Sequence, residues 1–269
     1  MLNPGTDSLE TADKKKENHI QVLQKAFIIQ EAMAQFPNGV SLAKLSSIVK
    51  MNKSTVFRTL DTLCGLGYVI RTEGAIYRLG YKYFKLANVA LNYDLRDAIH
   101  PYLEKLSEEC GMVVHLVELQ ENRGVYIDKI NAPQTNGTLR ISSHIGDQLY
   151  LHSTAVGKVL LSEMPEAEIR STLEQTGMPA FTPNTITDID SFISELVRIR
   201  QRGYSVDEVE NEENVRCLAV PVRRADGSIA YGMSITGTIF TLTREMIPSL
   251  SKLLSACSDR ITDDIGSRM

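Results

Sequence analysis

No stretch of the chain strings together the roughly 18 apolar residues that a membrane-spanning helix needs. The opening MLNPGTDSLETADKKKENH lacks the apolar centre of a secretory signal, so neither membrane insertion nor export is indicated and a cytoplasmic protein is expected. Cysteine is scarce. Cys64, Cys110, Cys217 and Cys257 stand far apart with no CxxC spacing, which suits free thiols in a reducing compartment and speaks against a disulfide framework or a structural zinc site. No metal and no cofactor is expected. What the 269 residues do have is apolar material, 43% of the total, enough to bury real cores and to divide into two domains.

Charge divides the chain as well. Residues 1–92 carry 12 Lys and Arg against 7 Asp and Glu, whereas residues 93–269 carry 17 against 26, so a net +5 is followed by −9. The KKK of the opening tail is not the source, because residues 1–18 hold 3 positive and 4 negative charges and their removal leaves +6. Such segregation points to a polyanion met by the first third of the chain and not by the remainder.

From Ile20 to Phe36, Val22, Leu23, Ala26, Phe27, Ile29, Met33 and Phe36 fall at helical spacing before PNG stops the run. SLAKLSSIVK then opens on a Ser41 cap and places Leu42, Leu45, Ile48 and Val49 on one face of a short second helix. Met51 and Asn52 make a tight turn. The helix from about Lys53 is expected to bury Val56, Leu60 and Leu63 and to turn Lys53, Ser54, Thr55, Arg58 and Thr59 outward, until Gly65 and Gly67 break it. YVIRT and IYRLG around EGA alternate as a small hairpin with a two-residue turn. Two short helices, a tight turn and a hairpin make a winged helix-turn-helix, whose second helix enters the major groove by its N-terminal end. The expected DNA-facing residues are Lys53, Ser54, Thr55, Phe57, Arg58 and Thr59, with Arg71 and Arg78 bracketing the wing and reaching flanking phosphates.

Residues 93–269 alternate helical and strand patterns. LRDAIHPYLEKLSEEC is helical, MVVHLVELQ and GVYIDKI are strands around the turn ENRG, and TLRISSHIGDQLYLH is mostly extended. Helices are expected over 154–163, 166–175, 188–202 and 243–265, with strands over 204–206, 216–223 and 229–236. The sum is an α+β sensor arrangement, an antiparallel sheet with helices on its faces. Within it, LHSTAVGKVLL sets a polar run ahead of a helical stripe. A helix that starts on His152, Ser153, Thr154 and Ala155 leaves backbone N–H groups for an anionic guest, unless Ser153 or Thr154 simply caps it.

SLAKLSSIVKMNKSTVFRTLDTLCGLGYV resembles the DNA-binding domain of the IclR family of bacterial transcription regulators. GYKYFKLANVALNYDLRDAIHPYLEKLSEECG resembles that family's linker helix and first regulatory helix. LYLHSTAVGKVLL and RGYSVDEVENEENVRCLAVPVRRADGSIAYGMSITG are similar to its two ligand-domain signatures. The resemblance spans about residues 20–265. It implies a disordered tail over 1–18, a winged helix-turn-helix over 19–80, a linker helix over 81–92 and a GAF-like effector and oligomerisation domain over 93–269. It also implies a homodimer or homotetramer on a pseudo-palindromic double-stranded operator, with affinity changed by a small organic acid. Among family branches the chain looks most like those governing sugar-acid catabolism, for example of 2-keto-3-deoxygluconate, where repression is the commoner mode.

The positions matching the family's pocket are Ala155 and Val156, whose N–H groups would take the carboxylate, together with Asp207, Cys217, Ser234 and Thr236. His144, Arg140 and His152 are looser candidates for a cation near the carboxylate. Two positions depart from the family pattern: Val209 stands where an acid is usual, and Asn214 replaces a common glycine. An enzyme is the rival class, with Cys217 as nucleophile, His152 or His115 as base and Asp207 orienting it. It is disfavoured because Cys217 has the apolar neighbours of a buried strand thiol, and a metal site from His144, His152 and Cys217 lacks ligand spacing. An acidic interaction module that turns the positive first domain to a protein partner gives no reason for a recognition helix and a wing together.

Overall fold

The protein is described by a computed structural model over residues 20–90, 93–132 and 143–269. Contacts divide it into two compact units, residues 1–90 and 91–269. In the first, α1 (Gln21–Ala34), α2 (Leu42–Val49) and α3 (Lys53–Gly65) pack on a three-stranded sheet of β1 (Val40–Ser41), β2 (Val69–Thr72) and β3 (Ile76–Leu79), and α4 (Lys82–Ala90) comes next in the chain. Ile29, Met33, Leu45, Val56, Leu60, Val69 and Tyr77 form the core. The Ser41 hydroxyl accepts the Lys44 N–H at 3.4 Å, as a cap should. Lys50 ends α2 in the left-handed region (φ 52°), and the Ser46 hydroxyl donates to the Met51 carbonyl at 2.6 Å, which closes the turn into α3. The hairpin differs from expectation in two respects. Its loop is three residues, Glu73–Ala75, with φ of 78° at Gly74 and 58° at Ala75, and β1 adds a third strand beside β3. The two-residue turn is thus corrected, because Thr72 pairs with Ile76.

The second unit is built on a six-stranded antiparallel sheet, in the order β6 (Gln148–Leu149), β5 (Arg123–Ile130), β4 (Val113–Gln120), β9 (Ile229–Thr238), β8 (Val215–Arg223) and β7 (Ser205–Glu208). One face carries α5 (Tyr93–Cys110) and α9 (Ile247–Ile265) over Leu116, Leu218, Met233 and Ile235. The other carries α6 (Ala155–Leu161), α7 (Glu166–Thr176) and α8 (Ile189–Arg202) over Val117 and Ala219. The final helix is shorter than expected because Arg244–Met246 is a 3₁₀ turn, and of the extended segment before α6 the described part holds only the two-residue β6.

Three local devices shape the α6 face of this sheet and its edge. Between Leu116 and Val117 the β4–β5 register shifts, so Tyr126 rather than Ile127 pairs with Val117 and lands on the α6 face. Gly157 in α6 lies where a Cβ would sit 2.5 Å from the Leu151 backbone, and Gly232 where one would sit 2.3 Å from Val156 Cγ2. Only glycine lets α6 come this close to its own entry and to β9. The edge strand β7 is protected: Lys158 donates to the Val206 carbonyl at 2.7 Å and Asn184 to that of Glu208 at 3.0 Å, so these acceptors are not open to a further strand.

Candidate functional site

On α3 the buried stripe Val56, Leu60 and Leu63 fixes which side looks out. Lys53, Ser54, Phe57 and Arg58 are exposed, Phe57 at 43%, a large apolar side chain left in water on an otherwise polar surface. Thr55 and Thr59 are half-buried, and the Thr59 hydroxyl donates back to the Thr55 carbonyl at 3.0 Å, so its proton is committed within the helix. The outward set is therefore narrower than expected at Thr59. Arg71 and Arg78 are both exposed but belong to opposite faces of the hairpin, since Arg71 pairs with Tyr77 and Arg78 with Ile70. Arg71 rests over the Tyr77 ring at 5.8 Å, while Arg78 shares the other face of the wing with the exposed Ile70.

In the second unit a cavity of about 380 Å³ opens between the sheet and the start of α6. Ala155, Val156, Asp207, Cys217, Ser234 and Thr236 all line it. Sheet register explains the convergence. Asp207, Cys217 and Thr236 stand in one row across β7, β8 and β9, and His115 on β4 pairs with Ser234, so these side chains share the α6 face. The Thr154 hydroxyl caps α6 by accepting the Gly157 N–H at 3.2 Å, which leaves the amides of Ala155 and Val156 outside the intrahelical pattern. Cap and open amides coexist here.

Hydrogen bonds link the sheet residues. Cys217 Sγ lies 3.3 Å from Thr236 Oγ1, which is 3.5 Å from His115 Nδ1, and His115 Nε2 is 2.9 Å from Ser143 Oγ. Burial pushes His115 down to about 3 and the Cys217 thiol well above its ordinary range, so both are neutral near pH 7. Asp207, 1% exposed, accepts the Glu210 N–H at 2.6 Å, and burial pushes its carboxyl up to about 7. Beneath it Lys158, 1% exposed, donates to Glu210 at 2.5 Å and to the Val206 carbonyl, which pins the loop after β7 to α6. Ser153 donates to Asn211 Oδ1 at 2.9 Å, a second tie between the same segments.

Other expectations do not meet at the cavity. His144 is a correction: its side chain is 79% exposed, it pairs with Asp147 at 3.3 Å, and it is not among the lining residues. Arg140 lies outside the described residues. His152 is buried and turned to the Pro179 carbonyl at 3.0 Å, between Tyr150 and Phe181, so it does not join Cys217 and Asp207 as a triad. No cluster of three metal-ligating side chains occurs among the described residues. Sequence reasoning left His115 in the rival enzyme reading and did not find Tyr126, Asp147, Tyr150, Phe181, Asn211 or Glu212, all of which line the cavity. The β4 alternation that puts His115 on one face with Val117 was the available signal for the first of these.

Residues 22–73 match the family described as the IclR helix-turn-helix domain, and residues 87–263 that described as the bacterial transcriptional regulator IclR C-terminal domain. The HTH-type transcriptional regulator KdgR of Dickeya chrysanthemi is 34% identical, with 99% of this chain and 87% of the relative covered. The DNA-binding transcriptional repressor YiaJ of Escherichia coli is 31% identical over 94% of this chain and 91% of its own. Among solved structures, the IclR of Thermotoga maritima is 32% identical with a TM-score of 0.79, covering 92% of this chain and 100% of that one.

Proposed function

The chain belongs to the IclR family of bacterial transcriptional regulators, a DNA-binding family, and from that premise we propose a repressor whose operator affinity is set by a small organic acid in the 380 Å³ cavity. The observation that carries the reading is the convergence of Ala155, Val156, Asp207, Cys217, Ser234 and Thr236 on one cavity. In this reading the amides of Ala155 and Val156 and the hydroxyls of Ser234 and Thr236 bind the carboxylate. The carboxyl of Asp207 binds effector hydroxyls, and Cys217 serves as wall. A pocket this rich in acceptors suits a sugar acid better than an apolar acid, which supports control of a carbohydrate-acid operon. Repression follows the naming of the YiaJ relative. A half-buried thiol with a raised pKa, apart from His152, supports a binding role over catalysis.

Lys53, Ser54, Thr55, Phe57 and Arg58 read the major groove in this proposal, with Thr59 in support and Arg71 and Arg78 on the flanking backbone. The domains run over 19–80, 81–92 and 93–269. Ile20, Leu23 and Phe27 form an exposed stripe on and just before α1, and Leu86 and Val89 another on α4, which supports burial against a second copy and a pseudo-palindromic operator. The test combines two assays on the full chain. A thermal-shift screen against keto acids, sugar acids and aromatic acids finds the effector. Fluorescence anisotropy on its upstream DNA then measures affinity with and without it. A bound acid that leaves DNA affinity unchanged refutes the regulatory proposal, since a ligand without differential affinity shifts nothing.

A further inference from the structure

The cavity poses a problem of charge. Asp147, Asp207 and Glu212 all line it, and no lysine or arginine is among the described lining residues. Three cations lie close by, each already engaged: Lys158 is held by Glu210 and the Val206 carbonyl, Lys129 donates to the Ser143 carbonyl at 2.6 Å, and Arg123 stacks on the Tyr150 ring at 4.1 Å. Among the described lining residues a carboxylate meets acids, hydroxyls, neutral rings and the backbone amides of Ala155 and Val156, with no cation in direct contact. Two carboxylates sharing a desolvated site do not both stay ionised, because neither has the solvent or the cation that its charge requires.

Resting on the sensor reading above, we propose that the cavity takes up its effector as an anion together with one proton, and that the proton is held on Asp207. The carboxyl then donates a hydrogen bond to the effector where it would otherwise repel it. Geometry singles out this acid. Asp207 is 1% exposed, sits in the lining row with Cys217 and Thr236, and uses Oδ1 to accept the N–H groups of Glu210 at 2.6 Å and Asn211 at 3.4 Å. A proton on the other oxygen leaves those bonds in place. The charged and titratable groups around it are Glu210 and Glu212 on the following loop, Lys158 on α6, Cys217 on β8 and Tyr126 on β5. Of these only Lys158 is positive. Cys217 and Tyr126 are pushed upward by burial and stay neutral, and His115 on β4 is pushed down, so none supplies a countercharge.

In the free protein the Asp207 carboxyl is raised to about 7, which places its ionisation inside the working pH range. A bound anion raises it further. The proton comes from solvent, so uptake approaches one between the free value and the higher bound value and vanishes below the free value, where Asp207 is protonated before the effector arrives.

The experiment is isothermal titration calorimetry of the full chain with pyruvate, D-gluconate and 2-keto-3-deoxygluconate, in pairs of buffers that differ in ionisation heat. For the acid that binds, about one proton is taken up per site at pH 8 and about none at pH 5.5, and Kd rises about tenfold per pH unit above 7. In D207N the uptake falls to about zero and the pH slope flattens, whereas D147N and E212Q keep both. Thermal unfolding reports whether each variant is folded, and if D207N is not, the proton count and slope of the unmodified chain decide. Binding without uptake at pH 8 overturns the proposal, as does uptake that persists in folded D207N. Failure of every acid to bind at either pH strikes the sensor reading itself, and this inference with it.

Discussion

Replacing Lys158 by methionine tests how the cavity floor is held. The two side chains have similar length, so packing is kept while the ammonium is lost. Its partner Glu210 is then left buried, with side-chain exposure of 7%, and its Oε2 has no partner even in the intact protein. Removing one member of a buried pair costs about 3–5 kcal/mol, because an uncompensated charge remains. For a unit of this size that corresponds to a fall in Tm of about 6–20 °C. The double variant K158M/E210L removes both charges and should recover most of the loss. pH supplies an independent check. Burial already raises the Glu210 carboxyl against the lowering effect of Lys158, so without the lysine it rises further. A carboxyl whose folded pKa lies above its unfolded one binds more protons when folded, and stability therefore falls as pH rises. The K158M deficit should shrink as pH falls from the raised folded value toward the unfolded value of about 4.5, and be gone below it. Paired thermal and urea unfolding at pH 4.5 and 8 measures all of this. A K158M loss under about 1 kcal/mol, or a double variant no better than the single, would refute the account.

Three further outcomes are expected. Arg58→Ala should weaken operator binding by about 1–3 kcal/mol and relax sequence preference, while Lys53→Ala lowers the slope of log affinity against log salt by about 1; effector-induced thermal shifts should be unaffected by either, and a change there would contradict the domain assignment. Gly157→Ala forces a Cβ to 2.5 Å from the Leu151 backbone and 2.7 Å from the capping Thr154 oxygen, so it should destabilise the second unit by about 2–4 kcal/mol; a neutral melting curve would count against the geometry. Thiol titration at pH 8 should leave Cys217 unreacted until the chain is unfolded, giving the same native count in C217S, whereas preferential labelling of Cys217 would revive the enzyme reading.

How much could be read in advance depends on how far apart the cooperating residues lie. The stripe Val56, Leu60 and Leu63 announces both α3 and its outward face, since helical period and contacts lie within one element. Ser234 and Thr236, two apart, declare a shared strand face in the same way. Tyr126 escaped because one shifted register between Leu116 and Val117 puts it, and not Ile127, on the cavity side, and nothing in GVYIDKI marks that shift. Lys158 escaped for another reason: within AVGKVLL it reads as the solvated residue of an amphipathic helix, and its partner stands 52 positions away.

Val209 joins the two kinds of case. It was legible as a departure from the family's usual acid, but its consequence is conformational. Its φ of 61° puts a β-branched side chain in the left-handed region, which is disfavoured for such residues. The backbone there is held from outside. Thr182 donates to the Val209 carbonyl at 2.6 Å and Thr185 to that of Glu210 at 2.6 Å, while Asn184 holds the carbonyl of Glu208. Phe181, next to this clasp, lines the cavity, as do Asp207 in β7 and Asn211 and Glu212 on the loop it grips. The segment over 181–185 therefore fixes the acidic wall of the cavity, and it does so through hydroxyls and an amide that carry no periodic signal in the sequence.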